Sequence, residues 1–284
     1  MKGYKGFEPG LICRGKQYAE NTVFEEEEAE ICSCGMHFCE NPFDVLGYYG
    51  FTNDNGDFNE FAEVEALDEV KTDDNRKFCT KKLKIGAKLS ISKFINACVD
   101  FAIEKTSTCI ADNKISSGDF AQIGSSGDSA KIGSSGDFAQ IGSSGNSAKI
   151  GSSGDFAQIG SSGNSAQIGS SGDSAQIGSS GYSAQIGSSG DFARIGSSGD
   201  SAKIGSSGDF AQIGSSGKDC VICCAGHNSV VKAKKGSWIT LAEWEYSEEK
   251  ERYIPKCVKT EFVDGERIKE DTLYKLIDGE FVEV

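Results

Sequence analysis

Residues 116–214 are eleven consecutive copies of one nine-residue unit, Ser-Ser-Gly-Asp-Phe/Ser-Ala-Gln/Lys-Ile-Gly. A unit with one Ile and one Ala, and Gly and Ser in most other places, holds too little apolar matter for a globular core. It can bury those residues only by coiling, so that each repeat stacks on the next. That architecture is a β-solenoid. Weaker copies, Ser215–Cys223 and Cys224–Lys232, keep the spacing, with Cys220, Ile222, Ser229 and Val231 at the Ala and Ile positions.

A second period is superposed. The fifth position is Phe at 120, 138, 156, 192 and 210, with Ser174 in the gap, and Ser at 129, 147, 165, 183 and 201. The predicted coil is therefore 18 residues, two nonapeptide sides. Eleven copies make about 5.5 coils, a rod of about 26 Å at the spacing of stacked strands. Alternation along a strand points Ala121 and Ile123 inward, and Phe120 and Gln122 outward. The Gly-Asp and Gly-Asn steps (Gly127-Asp128, Gly145-Asn146) read as turns that tolerate positive φ. One outer face is then expected to carry a Phe ladder beside Asp119, Asp137, Asp155, Asp173, Asp191 and Asp209. The other carries Ser, a mixed column (Asp128, Asn146, Asn164, Tyr182, Asp200) and Lys131, Lys149 and Lys203. Turn chemistry and ladder stacking explain these columns. So does a contact surface, because a contiguous apolar stripe on a rod marks an interface.

The flanks differ in kind. Residues 1–88 read as an α+β domain, with a strand at Phe61–Leu67 and a short helix over 42–50. Residues 90–105 form an amphipathic helix with Ile91, Phe94, Ile95, Cys98, Val99, Ala102 and Ile103 on one side. Since it directly precedes the repeats, residues 89–110 are expected to cap the first coil. The solenoid is assigned to 111–232. Residues 233–284, with Asp264-Gly265 and Asp278-Gly279 between apolar runs, read as a small antiparallel β cap. The fold class is thus mainly β.

The net charge of −14 argues against phosphate-backbone binding and permits a basic partner. No apolar run is long enough for a membrane helix. The start lacks a signal-peptide stretch, and eleven cysteines fit a reducing cytosol. A cytoplasmic location is expected.

The run Lys5-Gly6-Phe7, Cys13-Arg14-Gly15 and Gly35-Met36-His37-Phe38-Cys39-Glu40-Asn41-Pro42, ending in Tyr48-Tyr49, resembles a family of uncharacterised phage and prophage proteins. Its members carry Gly/Ser/Ala repeats and a tail similar to Val263-Asp-Gly-Glu-Arg-Ile-Lys and Asp278-Gly-Glu-Phe-Val. The resemblance implies a viral or prophage origin and supplies no activity. The repeats also resemble the β-roll heads of trimeric bacterial adhesins, which are exported.

Two chemistries are candidates in the first domain. Cys32, Cys34, His37 and Cys39, with Cys13 as a further ligand, are residue types that suit zinc. The plainer reading is buried thiols on a strand plus a structural His. Arg14-Gly15, then Gly35-x-His-Phe before a helix, then Glu63-Val-Glu65 on a strand, resembles the motif order of ADP-ribosyltransferases. That resemblance implies Arg14 as a phosphate contact for NAD and Glu65, with Glu63, as the catalytic carboxylates. The family's Ser-Thr-Ser-type motif is replaced by His37-Phe38-Cys39. A phosphate-binding Gly-x4-Gly-Lys-Ser/Thr loop is absent.

The expected function is that of a non-enzymatic interaction protein without a cofactor. It assembles with itself through Phe120, Phe138, Phe156, Phe192 and Phe210 and binds a host protein, with the Asp column steering basic groups. A phage origin suggests inhibition of a host immune component. The alternatives are the transferase-like enzyme, an acidic mimic of nucleic acid and a phage structural protein.

Overall fold

A computed structural model describes residues 1–53, 57–105 and 113–284. The chain is mainly β, 47% strand and 7% helix, with a solenoid of about seven turns over residues 114–241. Each nonapeptide contributes one four-residue strand, Gln/Lys-Ile-Gly-Ser, and one turn. Alternate strands build two parallel sheets that face each other. Pairing is in strict 18-residue register, Ile123 on Ile141 and Ile132 on Ile150, as the Phe/Ser alternation predicts. Ile141, Ile159, Ile177 and Ile195 are almost wholly buried, and so are the alanines from Ala130 to Ala211.

A third residue also points inward. The serine that ends the strands from Ser134 to Ser206 is buried, Ser143, Ser161 and Ser179 fully, and its hydroxyl has no hydrogen-bond partner. The composition hides this position, because Ser reads as turn chemistry.

The turns differ from expectation. Positive φ falls not on Gly or Asp but on the next residue, Phe138 (55°) or Ser147 (56°). Such a conformation costs a non-glycine residue about 1 kcal/mol. The strain is offset in each coil, where the Phe138 N–H donates to the Asp155 carbonyl at 2.8 Å. The glycine is required for closeness instead. A Cβ on Gly154 would lie 2.1 Å from the carbonyl oxygen of Gly136 in the preceding coil. The aspartates form a ladder of their own. Asp137 Oδ1 accepts the N–H of Asp155 (2.9 Å), and Asp155 Oδ1 that of Asp173 (2.8 Å). Asn146 does the same for Asn164, so either a carboxylate or a carboxamide serves.

At the carboxyl end both sheets turn antiparallel. Trp238–Ser247 adds parallel to Val221–Cys224 and then pairs with Arg252–Phe262. Leu273–Ile277 adds antiparallel to Val230–Lys232 and pairs with Glu280–Glu283. Ile239, Leu241, Val263, Ile268, Tyr274 and Leu276 join the solenoid core and close it.

The amino-terminal unit is a seven-stranded antiparallel sheet. Its strands are β1 (Lys2–Phe7), β2 (Ile12–Cys13) and β3 (Lys16–Gln17), the last two a separate hairpin, then β4 (Val23–Glu25), β5 (Met36–Cys39), β6 (Glu60–Ala66), β7 (Val70–Thr72), β8 (Lys77–Thr80) and β9 (Lys82–Leu89). The sheet order is β4-β9-β6-β1-β5-β8-β7. Helix α1 (Pro42–Leu46) follows β5, with Asn41 Oδ1 accepting the Phe43 N–H at its start. Helix α2 (Ile91–Lys105) has the amphipathic face expected, and buries Phe94, Ile95, Cys98, Val99 and Ala102.

The position of α2 corrects the sequence reading. It does not cover the end of the first coil. It lies lengthwise on the outer face of one solenoid sheet, with Ala102 against Gly124 and Gly142, Val99 against Gly142 and Gly160, and Ile95 against Gly178. The expected linker residues 106–110 lie outside the described residues.

Candidate functional site

The two solenoid sheets carry nearly the same strand sequence on their outer faces, yet only one is used internally. On the covered sheet the outward glycines are sealed. A Cβ on Gly124 would meet the Ala102 backbone at 2.5 Å, one on Gly178 the Phe51 ring at 2.6 Å, and one on Gly214 the Phe58 ring at 2.7 Å. The glutamines beside them are spent on the same contact. Asn41 Nδ2 donates to Gln140 Oε1 (2.8 Å), Gln140 Nε2 donates to Asp44 Oδ1 (3.0 Å), and Gln176 Nε2 donates to the Leu46 carbonyl (2.8 Å). Arg194 donates to the Thr52 carbonyl, and Lys232 pairs with Asp57 at 3.0 Å.

On the other sheet the matching glycines are bare. Nothing stands within 4 Å of a Cβ on Gly151, Gly169, Gly187 or Gly205, and Gly133 meets only Ile115. These residues floor a shallow trough of about 1090 Å³. Ile115, 89% exposed, and Val221, 52% exposed, mark its two ends. Lys131, Lys149 and Lys203 rise along it with Gln167 and Gln185, all exposed. The sequence holds a signal for this asymmetry: within the eleven repeats Lys occurs only in alternate copies, which all feed the bare sheet.

The Phe column stands at a corner rather than on a face, where the chain turns into the covered sheet. Phe120, Phe138 and Phe156 stack at 4.9–5.0 Å, as do Phe192 and Phe210. Each is 40–57% exposed. Arg76 of the amino-terminal unit sits over Phe120 at 5.7 Å, and His227 and Tyr253 continue the aromatic line beyond Phe210. Asp119, Asp137, Asp155, Asp173, Asp191 and Asp209 stand beside it, each accepting one backbone N–H from the next coil.

A second feature, a cavity of about 560 Å³, opens in the amino-terminal unit, where β1, β5, the β2–β3 hairpin and the segment after α1 meet. Lys5 is buried in its wall and donates to the His37 carbonyl (2.9 Å) and to Cys13 Sγ (3.4 Å). Tyr49 OH donates to the same sulfur at 3.1 Å. Burial lowers the pKa of Lys5. Burial first, then the positive charges of Lys5, Lys77 and Arg14, hold His37 down from 6.5 to about 4. Sequence reasoning quoted Lys5 and Tyr49 only in the resemblance and did not single out Lys77; it placed none of them at a site, where they meet from distant parts of the chain.

The structure does not unite the transferase-like residues. Arg14 lines the cavity just described. Glu63 and Glu65 line a different one, with Lys2, Lys84 and Phe101. Nor do the zinc candidates converge. Among the described residues no group of three or more His, Cys, Asp or Glu side chains is placed to hold a metal. His37 Nε2 accepts the Cys32 N–H at 3.2 Å, Cys32 Sγ accepts from Lys77 at 2.9 Å, and burial pushes the Cys39 thiol up to about 12. Cys220 and Cys224 take inward places in the solenoid core, while Cys223 is exposed on the bare sheet.

Residues 1–97 match the family model described as a domain of unknown function, DUF7666. No curated protein and no solved structure matches the chain. No helix among the described residues is long and apolar enough to cross a membrane.

Proposed function

We propose that this protein is a non-enzymatic binding scaffold whose bare solenoid sheet receives an amphipathic helix of a partner protein. One observation carries the reading. The same repeat, in the same register, already receives α2 on the opposite sheet, through the same glycine column. The trough crosses seven of the nine strands of the bare sheet, from the Asn113 strand to the Val221 strand, about 29 Å at the ordinary strand spacing. A partner helix of about 19 residues matches that length. Small and aliphatic residues would lie over Gly151, Gly169 and Gly187, and acidic residues would flank them to meet Lys131, Lys149 and Lys203. The exposed Phe stacks support a second contact, self-association along the corner. The resemblance to phage proteins makes a host immune component a fitting partner. No metal or nucleotide chemistry enters this function.

A photocrosslinking amino acid at Gln167 or Gln185, compared with one at Glu248 on the distal hairpin, tests the reading. The expected result is one adduct of defined mass from the bare sheet, lost when Lys149→Glu and Lys203→Glu are combined. Adducts that form equally from Glu248, or that survive the charge reversal, would refute it. Self-association has its own measurement. Phe138→Ser with Phe156→Ser should lower the mass in sedimentation equilibrium while β content is kept; an unchanged mass removes that contact.

A further inference from the structure

The cavity of the amino-terminal unit concentrates positive charge in a chain that carries −14 overall. Lys5, Arg14, Lys16, Lys77 and His37 line it, and among the described residues Glu26 is the only carboxylate that does. Glu26 is already engaged by Lys16. Three cations, Lys5, Arg14 and Lys77, therefore face the space without a lining carboxylate to balance them. Burial is the main cause of the low basicity of His37, and each of these cations adds to it.

The local folding explains why the charges gather. Arg14 and Gly15 form the turn of the β2–β3 hairpin, both at positive φ, which holds Arg14 at the tip over the opening. Lys5 is fixed by two acceptors in the wall. Lys77 begins β8 and is held by Cys32 Sγ. Much of the remaining wall is aromatic. Tyr4, Tyr18, Phe38, Tyr48 and Tyr49 all line it, and Tyr48 is 53% exposed with the Lys77 ammonium 5.1 Å from its ring. Like charges held near one another repel unless an anion enters between them, and an exposed ring at the mouth offers stacking area to a flat ligand. A volume of about 560 Å³ lies within the range of small-molecule sites.

We infer that this cavity binds a nucleotide, its phosphate held by Arg14, Lys77 and Lys5 and its base laid against Tyr48 and Tyr49. The inference does not depend on the bare sheet. Occupancy would bring the ligand beside the Cys13 sulfur, which already accepts from Lys5 and Tyr49.

Isothermal titration of the full chain with the common ribonucleoside mono-, di- and triphosphates, and separately with inorganic phosphate, tests it. One-to-one saturable binding of at least one nucleotide is expected, weakened by added salt. Arg14→Gln and Lys77→Gln should each weaken it at least tenfold, and Tyr48→Ala should weaken nucleotide binding more than phosphate binding. Gly169→Arg, on the bare sheet, should leave it unchanged. The bound nucleotide should also protect Cys13 from alkylation, read by peptide mass, while Cys223 remains reactive. Two results overturn the inference: no binding up to about 1 mM, the limit of weak specific affinity, by protein with an unchanged circular-dichroism spectrum, or inorganic phosphate binding as tightly as every nucleotide. Arg14 and Tyr48 are exposed and Lys77 is half-buried, so loss of binding with an unchanged melting curve separates ligand contact from misfolding.

Discussion

The covered and the bare sheet of the solenoid are a controlled comparison made by the molecule itself. Ile and Ser of each strand point into one shared core, and Gly sits at the same outward place on both sides. On one side Gly124, Gly142, Gly160 and Gly178 are buried beneath α2 and Phe51; on the other Gly151, Gly169 and Gly187 are exposed. A glycine in a strand weakens it for want of a side chain to pack. The covered sheet recovers that loss by letting a helix approach closely. The bare sheet bears it with nothing seated there within the chain, and this is why the open face reads as a place for another molecule.

Substitution of these glycines should give the largest contrast. Gly142→Val sets a side chain against Ala102 and Val99, where even a Cβ would lie 2.9–3.0 Å away. Overpacking of that kind costs about 1–3 kcal/mol or more. Thermal unfolding should show the loss, and limited proteolysis should show α2 released. Gly151→Val meets open space and should leave the melting temperature unchanged or raised, since Val suits a strand better than Gly. Equal destabilisation by both would break the comparison.

The next effect belongs to the polar seat of the amino-terminal unit. Gln140→Leu leaves the Asn41 amide without its acceptor and takes one donor from Asp44, which keeps Arg76, both residues being buried, and should cost about 1–3 kcal/mol in denaturant titration. Gln167→Leu, its counterpart on the bare sheet, should change stability by less than about 0.5 kcal/mol.

A smaller effect should be identical on both sheets. Ser161 and Ser170 end strands of opposite sheets, and both hydroxyls are buried without a partner. Replacing either with Ala removes an unsatisfied hydroxyl, a gain of about 1 kcal/mol. Melting temperatures that rise for one and fall for the other would show that the two sheets do not share one core.

The smallest effect sharpens the contrast between the solenoid and the unit docked on it. His37 has its pKa lowered from 6.5 to about 4 in the folded chain, so protons bind the unfolded state more readily. The stability it confers is present above pH 6.5 and is lost as the pH falls towards 4. His37→Asn should flatten that part of the pH dependence of unfolding, followed by the fluorescence of a probe on the amino-terminal unit. A profile unchanged by the substitution would place the acid sensitivity elsewhere.

Much of the architecture was legible in the residues. The nine-residue and 18-residue periods set coil length and register, because stacking demands that like sit on like. The inward Ala and Ile were legible, and so was the exposure of Phe, although Phe is exposed because it stands in the turn at positive φ and not because it alternates along a strand. The turns were legible only in part. Asp and Gly were visible as turn residues, but their tasks, an N–H acceptor across coils and a 2 Å close approach, depend on the neighbouring coil and so have no local signature. Of the candidate sites, Arg14 and His37 were singled out without the lysines and tyrosines that surround them, which come from β1, β8 and the segment after α1.

The sequence by itself determined that this chain must coil, with what period, and with which residues inside, since a repeat of this composition has one way to bury its apolar side chains. Only the tertiary structure decided which of two nearly equivalent sheets α2 would cover. The repeat presents the same glycine column to both sides. The choice rests on the amino-terminal unit, whose Phe51, Phe58, Asn41 and Asp44 find partners on one sheet alone, and it leaves the other free.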